Sequence, residues 1–131
     1  RYKKIVNHKN ILIKDFFDNI DHAYCAADII ISRAGAVAVN EISFMEKAMI
    51  LVPLPSSAAN HQFHNAKFFE DNNAALVVEE KKLTGNIIED SILKLFKNKE
   101  KLQLMGLNAS NLIIKDAKEK IIDQVTRLLK I

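Results

Sequence analysis

The chain has 131 residues, 49% of them hydrophobic and 27% charged, with a formal net charge of +3. This length suits one domain with a sizeable core, and the composition is that of an ordinary globular protein. No apolar run approaches bilayer-spanning length, no secretory signal is read ahead of the first element, and the lysines are dispersed rather than gathered into the basic, aromatic-laced stripe of a nucleic-acid binder.

The opening "RYKKIVNHKN" has no initiator methionine and reads as the tail of a helix, so the chain is expected to be part of a longer protein. "NILIKDF" (Asn10 to Phe16) reads as a strand and "DNIDHAYCAA" (Asp18 to Ala27) as a helix, with Asp18 at its N-cap and Asp21 in its first turn. Cys25, the single cysteine, excludes an internal disulfide and is expected to be a small core residue. "DIIIS" (Asp28 to Ser32) is apolar at successive positions, the pattern of a parallel strand buried on both faces. A helix through "AVAVNEISFME" follows Gly35, and "AMILVPL" (Ala48 to Leu54) is a further strand. The loop holding Pro53 and Pro55 leads to a helix over "NHQFHNAKFFED", capped by Asn60, and "AALVVE" (Ala74 to Glu79) is the last strand. Thr84 is expected to cap a helix through "GNIIEDSILKLFKN", and the remainder reads as helical to the end. There Ile121, Ile122, Val125, Leu128 and Leu129 share one face, expected to pack on the sheet or on a partner domain.

Strands alternating with helices at this spacing imply βαβ units, hence a single Rossmann-like α/β domain over residues 1–131, its parallel sheet flanked by helices. Ligands of such sheets bind at the carboxyl ends of the strands. Three loops are expected there, at Phe16–Phe17, Ser32–Gly35 and Pro53–Asn60.

Two readings fit "SRAGAVAVNE", from Ser32 to Glu41. In one, Gly35 only lets the backbone turn. In the other, glycine opens a helix N-terminus to a phosphate, which free N–H groups and the helix dipole favour. Glu41 is either a solvated helix residue or a carboxylate able to accept both hydroxyls of a ribose. In "NHQFHN", Gln62 and Asn65 share a face, as do His61 and Asn65, and side-chain amides both donate and accept, which suits sugar hydroxyls. The two histidines have no cysteine or acidic partner at metal-ligand spacing, so neither metal nor cofactor is expected.

The stretch Ala27 to Glu80, with its spaced S-R-x-G-A…N-E, I-L-V-P and H-Q-x-x-N-A, closely resembles the C-terminal domain of the MurG family, and the preceding "FFDNIDHAYCAAD" looks similar to the same family's segment. These enzymes transfer N-acetylglucosamine to lipid I, giving lipid II for peptidoglycan. The resemblance implies a GT-B fold of two Rossmann-like domains, the C-terminal one holding the sugar nucleotide. It implies that the Phe17 backbone meets uracil and that Ala36, Val37, Ala38 and Val39, with Asn40 beside them, face the diphosphate. Glu41 would take the ribose hydroxyls, and Gln62, helped by His61 and Asn65, would read the N-acetylglucosamine. Relatives often carry a hydroxyl residue where this chain has Ala38, so one ligand contact is expected to be lost. The family's glycine-rich loop and earlier arginine are expected upstream. So is the N-terminal domain, which would hold the lipid I acceptor and the general base, leaving no catalytic base to assign within these residues. The implied place is the cytoplasmic face of the bacterial membrane, in peripheral contact. The competing expectations are another GT-B transferase, acting on a glycolipid or a dolichol-linked acceptor, and a non-catalytic α/β nucleotide-binding module.

Overall fold

A computed structural model describes residues 9–129. The helical tail expected at the start of the chain therefore lies outside the described residues, except for its last two positions, which form a turn.

Along the chain run α1 (Ile20–Ala26), β1 (Ile29–Ser32), α2 (Ala36–Phe44), β2 (Ala48–Leu51), α3 (His61–Asp71), β3 (Leu76–Val77), α4 (Gly85–Phe96), α5 (Lys99–Asn111) and α6 (Ala117–Leu129). Short 3-10 turns at Ala58–Asn60 and Glu80–Lys82 precede α3 and α4. The strands form one parallel sheet in the order β1-β2-β3, with Ile29 opposite Ala48 and Ile50 opposite Leu76. The expected parallel sheet flanked by helices is thus present.

β2 is central, and all four of its residues are buried. Successive strand side chains point to opposite faces, so β2 feeds two cores. Met49 and Leu51 join Val39 and Ile42 of α2 and Ala66 and Phe69 of α3. Ala48 and Ile50, with Val52 beyond the strand, join Leu95 of α4 and Met105 of α5. Burying each large side chain there contributes about 1.5–3 kcal/mol. Helices on both faces cover what would otherwise be a two-sided apolar strand.

Several expectations are corrected. Residues 10–16 form no strand: they pair with none of the three described strands, and Leu12 is 73% exposed. An apolar run becomes a strand only where a ladder partner accepts it. The first helix starts at Ile20, with Asn19 rather than Asp18 at its N-cap and no side-chain capping bond. Cys25 is exposed, not a core residue. β1 is an edge strand of partial burial, with Ile31 44% exposed, so burial on both faces belongs to β2. The last strand shrinks from six expected residues to Leu76–Val77. Asn60 precedes α3 in the left-handed region (φ 58°), its side chain making no cap bond. The apolar face of α6 does not pack on the sheet, since Ile121, Ile122, Val125, Leu128 and Leu129 are all exposed. Thr84 does cap α4, its hydroxyl accepting from the Ile87 N–H at 3.3 Å.

Candidate functional site

The parallel strands deliver their carboxyl ends to one edge, where the loops to α2 and α3 begin. α2 starts immediately beyond β1. Val39 N–H is the first in this helix to bond backward, to the Gly35 carbonyl at 3.0 Å. The N–H groups of Ala36, Val37 and Ala38 therefore have no acceptor in their own helix. No side chain caps them, and no acidic residue stands in the first turn. Val37 is 73% exposed there. The result is an open cluster of donors at the positive end of a helix dipole, with no carboxylate in that turn competing for an anion.

Gly35 bears on both readings of this loop. Its φ of −68° and ψ of 140° are open to any residue, so the turn does not require glycine. A Cβ built at Gly35 would meet no atom within 4 Å. Glycine is a better N-cap than alanine, but neither the dihedral angles nor neighbouring protein atoms exclude a side chain here. What its missing side chain leaves clear is the space beside the free N–H groups.

The neighbouring side chains are already engaged. Asn40 Nδ2 donates to the Ala36 carbonyl at 2.8 Å, which turns its amide onto its own helix. Glu41 lies exposed one turn further on, and its Oε2 accepts from the Tyr24 hydroxyl of α1 at 3.3 Å. Burial, followed by the Glu41 carboxylate, pushes the Tyr24 hydroxyl above its ordinary value of 10.0, so it remains a donor at neutral pH. Glu41 retains acceptor capacity, because a carboxylate offers about four lone-pair sites. An open groove of about 580 Å³ runs along it, lined by Asn40, Phe44, Leu112, Ile113 and Ile114.

From α3, Gln62 Oε1 accepts the Leu54 N–H at 3.0 Å, and the Gln62 backbone N–H donates to Ser57 Oγ at 3.3 Å. The Gln62 oxygen thus uses one of its two lone pairs to hold the loop after β2, and Nε2 is a further donor on the same amide. Asn65 Nδ2 donates to the Ala34 carbonyl at 3.0 Å, tying α3 to the loop that delivers α2. His61 is exposed at the start of α3, and the His64 ring packs edge-on against Phe63. Phe17 stands ahead of α1 with the Lys14 ammonium 5.5 Å from its ring centre. Among the described residues, no three His, Cys, Asp or Glu side chains gather into a group that could hold a metal ion.

The structure thus brings Gly35, the first turn of α2, Gln62 and Asn65 to the loops at one end of the sheet, with Glu41 further along α2 beside Tyr24 of α1. Four participants were not read from the sequence. Tyr24 and Glu80 lie 17 and 47 residues from the partners they bind, and the Leu54 N–H lies 8 residues from Gln62. Arg33 stands inside the S-R-x-G-A motif, which is the one signal the sequence offers for it.

Comparison with known proteins places these features in context. The family model for the glycosyltransferase family 28 C-terminal domain matches residues 2–125. The UDP-N-acetylglucosamine--N-acetylmuramyl-(pentapeptide) pyrophosphoryl-undecaprenol N-acetylglucosamine transferase of Vesicomyosocius okutanii is 40% identical over 118 residues, covering 88% of this chain and 34% of that protein. The enzyme of the same name from Trichodesmium erythraeum is 36% identical over 124 residues, covering 95% of this chain and 33% of that protein. The crystal structure of Acinetobacter baumannii MurG superposes with a TM-score of 0.76 at 30% identity, over 86% of this chain and 32% of that one. The chain therefore spans about a third of the length of the relatives it matches.

Proposed function

The chain belongs to the glycosyltransferase family 28 C-terminal domain family, and we propose that residues 1–131 form most of the donor-binding half of a UDP-N-acetylglucosamine transferase. The reaction is transfer of N-acetylglucosamine to undecaprenyl-pyrophosphoryl-N-acetylmuramyl-pentapeptide. The observation that carries this reading is the pairing of Gly35 with the uncapped α2 N-terminus: a glycine the backbone does not need, beside three donors without acceptors.

In this reading the diphosphate lies on the N–H groups of Ala36, Val37 and Ala38, with Val39 and Asn40 behind them. The uracil meets the backbone at Phe17. Glu41, oriented by Tyr24, accepts the ribose hydroxyls. Gln62 donates from Nε2 to an oxygen of the sugar, with His61 beside it, while Asn65 holds the loop. A hydroxyl of the acceptor sugar attacks the anomeric carbon, the bond from that carbon to the diphosphate oxygen breaks, and configuration inverts. Negative charge grows on the departing UDP, and donors already in place at the helix N-terminus stabilise it without reorganising. The acceptor and the general base belong to the remainder of the protein. No helix among the described residues is long and apolar enough to cross a membrane; the proposed association is a peripheral one at the cytoplasmic face.

The test is turnover by the protein carrying this chain. Given UDP-N-acetylglucosamine and the undecaprenyl-linked acceptor, it is expected to release UDP in step with acceptor glycosylation. Failure to turn over that pair, with transfer to a different lipid acceptor, would contradict the assignment.

A further inference from the structure

The loop that delivers α2 is held by an ion pair whose charges bear oppositely on an anionic ligand. Arg33 Nη1 donates to Glu80 Oε2 at 2.7 Å and to the Val52 carbonyl at 3.3 Å. Arg33 follows the last residue of β1, Val52 follows the last residue of β2, and Glu80 lies three residues beyond β3. One guanidinium therefore joins the carboxyl ends of all three strands. The backbone ladder already reaches this level, with Val52 N–H on the Ser32 carbonyl at 2.8 Å and Val78 N–H on the Leu51 carbonyl at 2.9 Å. From the other side, Asn65 holds the Ala34 carbonyl at 3.0 Å. The loop is clamped on both flanks, and two residues later the free N–H groups begin.

We propose that Arg33 and Glu80 form a latch that sets the position of the α2 N-terminus, which makes both of them positioning residues for the diphosphate. This rests on the donor-site reading above. Both side chains are partly exposed, at 47% and 39%, and exposed pairs contribute little to stability, so single variants at either position keep their fold. Holding a hydrogen-bond cluster within a fraction of an ångström of its working geometry is where such a pair exerts its effect.

The charge of Glu80 makes the idea testable by sign. Through field alone, a carboxylate near a diphosphate opposes binding, so removing it tightens binding. If Arg33 were instead a direct phosphate contact restrained by Glu80, releasing it would also tighten binding. A latch predicts the reverse. Affinities for UDP and for uridine are measured in the protein carrying this chain, for the wild type, Glu80→Gln, Arg33→Gln and the double variant. Glu80→Gln is expected to weaken UDP binding about three- to tenfold and to leave uridine binding unchanged, because uridine has no diphosphate. The double variant is expected to lose no more than Arg33→Gln alone, since both substitutions open one latch. Unchanged or tighter UDP binding by Glu80→Gln, an equal loss for uridine, or losses that multiply in the double variant would overturn the latch. A wild-type protein that binds uridine no less well than UDP would instead overturn the donor-site reading.

Discussion

At Gly35 the absent side chain concerns what lies outside the protein, and this separates ligand binding from folding. Replacing glycine by alanine reduces unfolded-chain entropy and stabilises by about 0.4–1 kcal/mol where the backbone permits it. Alanine is a poorer N-cap than glycine by a comparable amount. Gly35→Ala should therefore change stability by less than about 1 kcal/mol while placing a methyl group beside the diphosphate donors. UDP binding should weaken by about 1.5–3 kcal/mol, the worth of a hydrogen bond to a charged group. Urea denaturation and UDP titration on the same variant check this, and a stability loss without an affinity loss would return Gly35 to a plain turn residue. The candidate residues themselves were legible in the sequence, because the S-R-x-G-A and H-Q-x-x-N-A spacings mark them. Their partners were not. That Glu41 is oriented by Tyr24, and that the Gln62 oxygen accepts from the Leu54 N–H, depends on contacts made only by folding.

At the scale of elements, α5 packs closely against the turn joining α2 to β2. Glu46 takes a φ of 54°, unusual outside glycine, and its backbone carbonyl lies where a Cβ on Gly106 would be. The Glu46 side chain also accepts from the buried Ser110 hydroxyl at 3.1 Å and pairs with Lys115 at 3.5 Å. Two backbones touch here, and neither can yield by rotating a side chain. Gly106→Ala is expected to cost about 1–3 kcal/mol of stability, seen as a lower midpoint of chemical denaturation. An unchanged midpoint would mean that the helix does not approach the turn so closely. Elements with strong local signals match the structure: Thr84 capping α4, a strand beginning at Ala48, and α2 directly after Gly35. The strand failures share one cause. Residues 10–16, the outer ends of the last strand and the burial of β1 all depend on whether a neighbouring strand is present, and one chain segment cannot state that about itself.

Across the whole molecule, the fold class followed from the alternation of short apolar runs with helical periods, and the sheet confirms it. The placement of α6 did not follow. Its apolar stripe was expected to pack on the sheet or on a partner domain; all five stripe residues are exposed, so it does not pack on the sheet, and periodicity reports only that a face is apolar, not what covers it. The central claim is that the diphosphate of a uridine nucleotide rests on the first turn of α2. Amide hydrogen exchange in the protein carrying this chain, measured with UDP, with uridine and with neither, tests it most directly. Exchange at Ala36, Val37 and Ala38, whose N–H groups have no helical acceptor, should slow with UDP and not with uridine. Saturating UDP that leaves those three amides exchanging as fast as in the free protein would contradict the account.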